Sequence, residues 1–169
     1  VNHWLFEIPA IRRPEWNDLW DICRRKLVCA GGFPPKSHYK VNHPKAWKAF
    51  ENCARQIRKG DGVIAYLLAR RIGAVGLVRE SYYRYTDTDW NPLLGTTPGG
   101  DFGRLLRMKW IIRPPNGSVI RIPPGRLVRV YRPTLNRITK AEFDRYTAIA
   151  RDSRNYEHQR DFFRKHGHP

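Results

Sequence analysis

The chain has 169 residues, with 32 Lys and Arg against 15 Asp and Glu, a formal net charge of +17 and 41% hydrophobic residues. That length suits one domain with a real core, and an aromatic content of 12% excludes a disordered basic tail, which lacks the apolar surface to offset chain entropy. The charge exceeds what solubility needs and points to a polyanionic partner, while the lack of any membrane-length apolar run or signal-peptide pattern leads us to expect a soluble cytoplasmic protein without a membrane partner.

The first element is "HWLFEI", His3 to Ile8, apolar and β-prone up to Pro9, which reads as a short buried strand in the middle of a sheet. "RPEWNDLWDICRRK" then sets Trp16, Leu19, Trp20 and Cys23 at helical spacing, with acids early and bases late as the helix dipole favours. The stretch Ala30 to Pro44, "AGGFPPKSHYKVNHP", pairs glycines with prolines and is expected to be one long irregular loop, a length that usually signals function. "KAWKAFENCARQIRKGD" follows as a second amphipathic helix, with Trp47, Phe50, Cys53, Ala54 and Ile57 on one face and Gly60-Asp61 as its stop.

"GVIAYLLARRIGAVGLVRESYYR" reads as two strands turning around Ala69 to Arg71, with Gly73 and Gly76 marking a bend or a close backbone approach. "RLLRMKWIIRPP", "SVIRIP" and "RLVRVYRP" are further strands. The last segment, "TKAEFDRYTAIARDSRNYEHQRDFFRKHG", reads as one helix whose capping box is Thr139 with Glu142. No internal repeat or linker divides the chain, so a single domain over 1–165 with a frayed end at 166–169 is expected.

Catalytic chemistry leaves little trace. Cys23, Cys29 and Cys53 are odd in number and form no CxxC pair, so they read as reduced thiols without a disulfide or metal role. No GxSxG, HExxH, Walker loop or paired loop carboxylates occur, so no enzyme and no cofactor are expected. The one competing arrangement is a nucleophilic Cys29 with His38 or His43.

The order of elements resembles the YTH and EVE domains, two related branches of the PUA-like superfamily. Four stretches carry the resemblance: "HWLFEI" is similar to the opening strand, "WKAFENCARQIRKGDGVIAYLL" to the helix, Lys-Gly-Asp turn and strand of EVE domains, "IGAVGLVRESY" to the next strand, and "GGDFGRLLRMKWI" to the Gly-Gly, aromatic, Trp-Ile segment of YTH domains. The resemblance implies an α+β fold, a twisted and partly closed β-barrel flanked by about three helices. It also implies binding of a modified base that is flipped into an aromatic cage.

In YTH domains a loop Trp before the Gly-Gly forms one cage wall, and Trp90 stands in the matching place before Gly99 and Gly100. Stacking of a base on an indole gives this role a physical basis, worth about 1 to 3 kcal/mol. The alternative is that Trp90 folds back to seal the barrel end. The family's other cage Trp is missing, and Phe33 or Tyr39 is the replacement available; Asn42 and Ser37 are candidates for the base edge. Trp4, Trp20, Trp47 and Trp110 read as core.

Arg12, Arg13, Lys36, Lys40, Arg104, Arg107, Lys109 and Arg113 flank the two aromatic loops and are candidates for phosphate contacts. A free-standing basic domain of this kind resembles the specificity domain of McrB-type modification-dependent restriction systems, so methylated DNA, 6-methyladenine foremost, is the expected partner, with a fused or associated GTPase motor and nuclease. A reader of 6-methyladenine in RNA and a general RNA-binding PUA-like module are the alternatives.

Overall fold

The computed structural model describes residues 1–8, 19–31, 42–67, 70–83, 104–125 and 135–166. Its strands are β1 (His3–Glu7), β2 (Val28–Gly31), β3 (Gly62–Tyr66), β4 (Arg71–Tyr83), β5 (Arg104–Ile112), β6 (Ser118–Arg121), β7 (Leu135–Ile138) and β8 (Tyr156–His158). Its helices are α1 (Leu19–Lys26), α2 (Pro44–Ala54), α3 (Lys140–Arg151) and α4 (Gln159–His166), with a 3-10 turn at Ser153–Asn155.

The strands form one sheet in the order β2-β5-β4-β3-β1-β7, with β6 on β4 and β8 on β6. β1 is interior as expected, parallel to β3 and antiparallel to β7. Its alternate residues face opposite sides, and both sides are apolar: Trp4 and Phe6 join one core with Trp20 and Phe50, whereas Leu5 joins a second with Ile64, Ile72 and Tyr146. Helix α3 thus covers the face opposite the one covered by α1 and α2. β5 and β6 run in succession along one edge of β4, broken at Pro114-Pro115, where the missing N–H groups cannot continue the ladder. Register shifts at Ala65/Tyr66, Val75/Gly76 and Val78/Glu80 add local twist. The outcome is an α+β fold whose sheet curls into a partly closed half-barrel flanked by helices.

The two glycines singled out in the sequence mark close approaches. A Cβ on Gly73 would lie 2.6 Å from Trp20 Cε2, and one on Gly76 would lie 2.7 Å from the Lys109 carbonyl oxygen. Trp20 in turn meets Trp110 edge-on at 5.9 Å. Gly73→Ala should therefore destabilise the protein by about 2 to 3 kcal/mol through overpacking against an indole that has no room to retreat. Urea unfolding of the variant measures this directly.

Trp4, Trp20 and Trp47 are core residues, and Trp110 packs partly buried against the same core. Three expectations need correction, and one strand was not anticipated. Residues 28–31 pair with β5 as β2, so Ala30 and Gly31 belong to a strand and not to the expected loop. Helix α2 starts at Pro44 and ends at Ala54, because the following turn swings Ile57 into the core and gives the Arg58 N–H to the Asp61 carboxylate. β7 is a strand that no propensity announces, and it exists through pairing with β1. The last helix is two, so four helices and not three flank the sheet among the described residues. The Thr139–Glu142 capping box is present at its start. Asp152 then stops α3 by accepting from the Arg154 N–H, and Asn155 Nδ2 donates back to the Ile149 carbonyl at 2.9 Å. The "RLVRVYRP" segment and residues 167–169 lie outside the described residues.

Candidate functional site

Strand register brings the attachment points of two distant segments to one corner of the sheet. Gly31, the last residue of β2, faces Arg104, the first of β5, and Arg104 faces Tyr83, the last of β4. Neighbouring strands lie about 4.8 Å apart, so these three backbones fall within about 10 Å of one another. Segment 32–41 departs from Gly31, and segment 84–103 joins Tyr83 to Arg104. Phe33, Lys36, Ser37, Tyr39 and Lys40 belong to the first and Trp90 to the second, and all of them lie outside the described residues. What is described is their common point of attachment.

The remaining candidates divide. Asn42 is exposed just ahead of α2, beside a shallow depression that it lines with His43 and Lys45. Arg12 and Arg13 lie outside the described residues in segment 9–18, which leaves the sheet elsewhere. Ile8, where that segment begins, donates its N–H to the Tyr66 carbonyl at 2.8 Å, and Tyr66 faces Ile72 at the far end of β4 from Tyr83. The described residues therefore do not join these two arginines to the corner.

From the corner β5 runs as a basic ridge. Arg107 and Lys109 alternate on its exposed side while Leu106 and Met108 turn into the core, and beyond Trp110 the exposed Ile111 and Arg113 extend the ridge. For Arg107 and Lys109 this follows from the period of two, whereas Ile111 sits at the register shift opposite Val75 and Gly76. Arg107 meets Glu80 across the strand pair at 3.4 Å, both side chains half exposed, an ion pair worth little in stability. Three further residues join the ridge that sequence reasoning did not assign. Arg79 and Leu27 border the same depression as Lys109, Ile111 and Arg113, a cleft of about 450 Å³, and Lys26 borders a smaller one beside Arg107. Only the alternation was visible in the sequence; Leu27 and Arg79 reach the ridge through helix-end and strand-pair geometry.

Cys29 is fully buried, and burial, with Cys23 beside it, pushes its thiol well above the usual range. A thiol held protonated is the reverse of an activated nucleophile, and His38 lies outside the described residues. Among the described residues no group of His, Cys, Asp and Glu is placed to hold a metal ion, and no helix is long and apolar enough to cross a membrane. Compared with known proteins, the chain matches no family model and no curated protein.

Proposed function

We propose that the chain reads a modified base in nucleic acid, 6-methyladenine in DNA foremost, by flipping it into an aromatic cage on a PUA-like fold of the YTH/EVE kind. The observation that carries this reading is the shared corner: the segment that holds Trp90 and the segment that holds Phe33 and Tyr39 are attached at facing residues, Gly31, Arg104 and Tyr83. Segments attached side by side can bring aromatic side chains to the two faces of one base. The ridge of Arg107, Lys109 and Arg113 leading away from that corner supplies cations for the phosphates that flank such a base. Extruding a base costs a few kcal/mol, which stacking and phosphate contacts together offset. In this reading the domain is a targeting module, and cleavage belongs to a fused or associated GTPase motor and nuclease.

The test compares one sequence as methylated and unmethylated DNA and RNA. Trp90→Ala should remove most of the preference for the methylated oligonucleotide, about ten- to a hundredfold for a lost stacking wall, with the melting temperature within a few degrees of wild type. Trp110→Ala is the contrasting control, expected to lose about 3 kcal/mol of stability because it vacates the packing against Trp20. A Trp90→Ala protein that unfolds, or that discriminates as wild type does, makes the loop Trp a structural plug. Preference for methylated RNA over methylated DNA would move the reading to RNA.

A further inference from the structure

The ridge carries a feature that phosphate contacts alone do not explain: large apolar side chains exposed among the cations. Leu27 is 45% and Ile111 50% exposed, and they share one cleft with Arg79, Lys109 and Arg113. Three of these five residues reach the cleft through local irregularity. Leu27 sits after the C-terminus of α1 with φ +55°, a left-handed conformation that helix ends usually give to glycine and that a bulky side chain adopts at a cost. Its carbonyl accepts the Met108 N–H at 2.7 Å, which fastens it beside β5. Ile111 is the extra residue where Val75 faces Ile112 and Gly76 faces Trp110. Arg79 is the extra residue where Val78 faces Met108 and Glu80 faces Arg107. Bulges re-aim side chains at the price of ladder regularity, and here two of them turn a cation and an apolar side chain to the same cleft.

We propose that this cleft seats an extended single strand of nucleic acid, its phosphates on Arg79, Lys109 and Arg113 and a sugar or base face on Leu27 and Ile111. The inference rests on the nucleic-acid part of the preceding reading and not on recognition of a modified base. Charge complementarity selects the occupant: the cleft and its smaller neighbour are lined by Lys26, Arg79, Arg107, Lys109 and Arg113 against one acid, Glu80. Arg107 and Lys109, alternate residues of β5, stand about 6.7 Å apart, close to the step between phosphates of an extended single strand. An acidic peptide offers the charge as well, but its carboxylates sit on flexible side chains and present no flat apolar ring to Leu27 and Ile111.

The experiment measures binding of an unmodified single-stranded oligonucleotide by fluorescence anisotropy, with polyglutamate as competitor, for wild type and three variants of the whole chain. Leu27→Gly relieves the backbone while removing the apolar contact, so its melting temperature should stay or rise as affinity falls about fivefold or more. Ile111→Thr keeps the β-branched shape of the strand and should weaken binding in the same direction. Arg79→Gln should weaken all sequences about equally and reduce the slope of log affinity against log salt by about one. The ratio of methylated to unmethylated affinity should be the same in all three variants as in wild type. Wild-type affinity in Leu27→Gly and Ile111→Thr, or polyglutamate displacing the oligonucleotide at equal charge, overturns the proposal. A wild-type protein that ignores methylation, with the three variants still weakened, sinks base reading alone and leaves the cleft standing.

Discussion

Asp61→Ala is expected to cost the fold about 4 kcal/mol, the largest stability loss of any single polar replacement proposed for this protein. The Asp61 side chain is nearly inaccessible, and three donors converge on it: the Asn2 N–H on Oδ1 at 2.9 Å, and on Oδ2 the Trp4 indole N–H at 2.9 Å and the Arg58 N–H at 3.0 Å. Gly60, at φ +90°, gives its N–H to the Val78 carbonyl, and Val78 returns its own to the Asp61 carbonyl. One turn thereby ties the start of β1, the end of the α2 turn and the middle of β4. Alanine leaves the Trp4 indole, fully buried, with its N–H unsatisfied, and takes the acceptor from two part-buried backbone donors. Asp61→Asn should fall between, about 2 kcal/mol, because an amide keeps one accepting oxygen and turns a donor toward another donor. Chemical unfolding of both variants checks the order; an Asp61→Ala protein as stable as wild type would show that the three donors have other partners.

Binding to any nucleic acid should weaken about 1000-fold or more as salt rises from about 50 to about 200 mM, if six or more phosphates are neutralised. The formal charge of +17 makes such a number of contacts available, and the ridge places Arg79, Arg107, Lys109 and Arg113 on one exposed side. Each cation that meets a phosphate releases condensed counterions, so the slope counts contacts independently of any aromatic cage. Anisotropy titrations at four or five salt concentrations give that slope. A flat response would falsify the nucleic-acid reading as a whole, including the cleft proposed above.

Elements governed by their own residues were legible before any coordinates. β1 is apolar at three of its four buried positions, with Glu7 the exception, β3 and β4 pair antiparallel up to the Leu67 N–H on the Arg71 carbonyl, and Thr139 with Glu142 caps α3 within four residues of chain. The cationic side of β5 was legible for the same reason, since a strand sends alternate side chains to opposite faces whatever surrounds it. Val28–Gly31 and Leu135–Ile138 were not: each is four residues long, and neither "VCAG" nor "LNRI" outweighs the breakers or polar groups around it until β5 and β1 supply the ladder. The break at Asp152 was not legible either, because Tyr156–His158 is drawn away from the helix by pairing with β6.

The same division runs through the candidate site. Composition and the period of two determined that this chain is a strongly basic folded domain with a cationic strand face, for these follow from residue identity and backbone geometry alone. That Gly31, Tyr83 and Arg104 are neighbours, that Leu27 adopts a positive φ beside Met108, and that Arg79 and Ile111 bulge toward one cleft were decided by tertiary structure. Each depends on hydrogen bonds between segments tens of residues apart, whose register is set by how two buried faces pack and not by any residue's own preference.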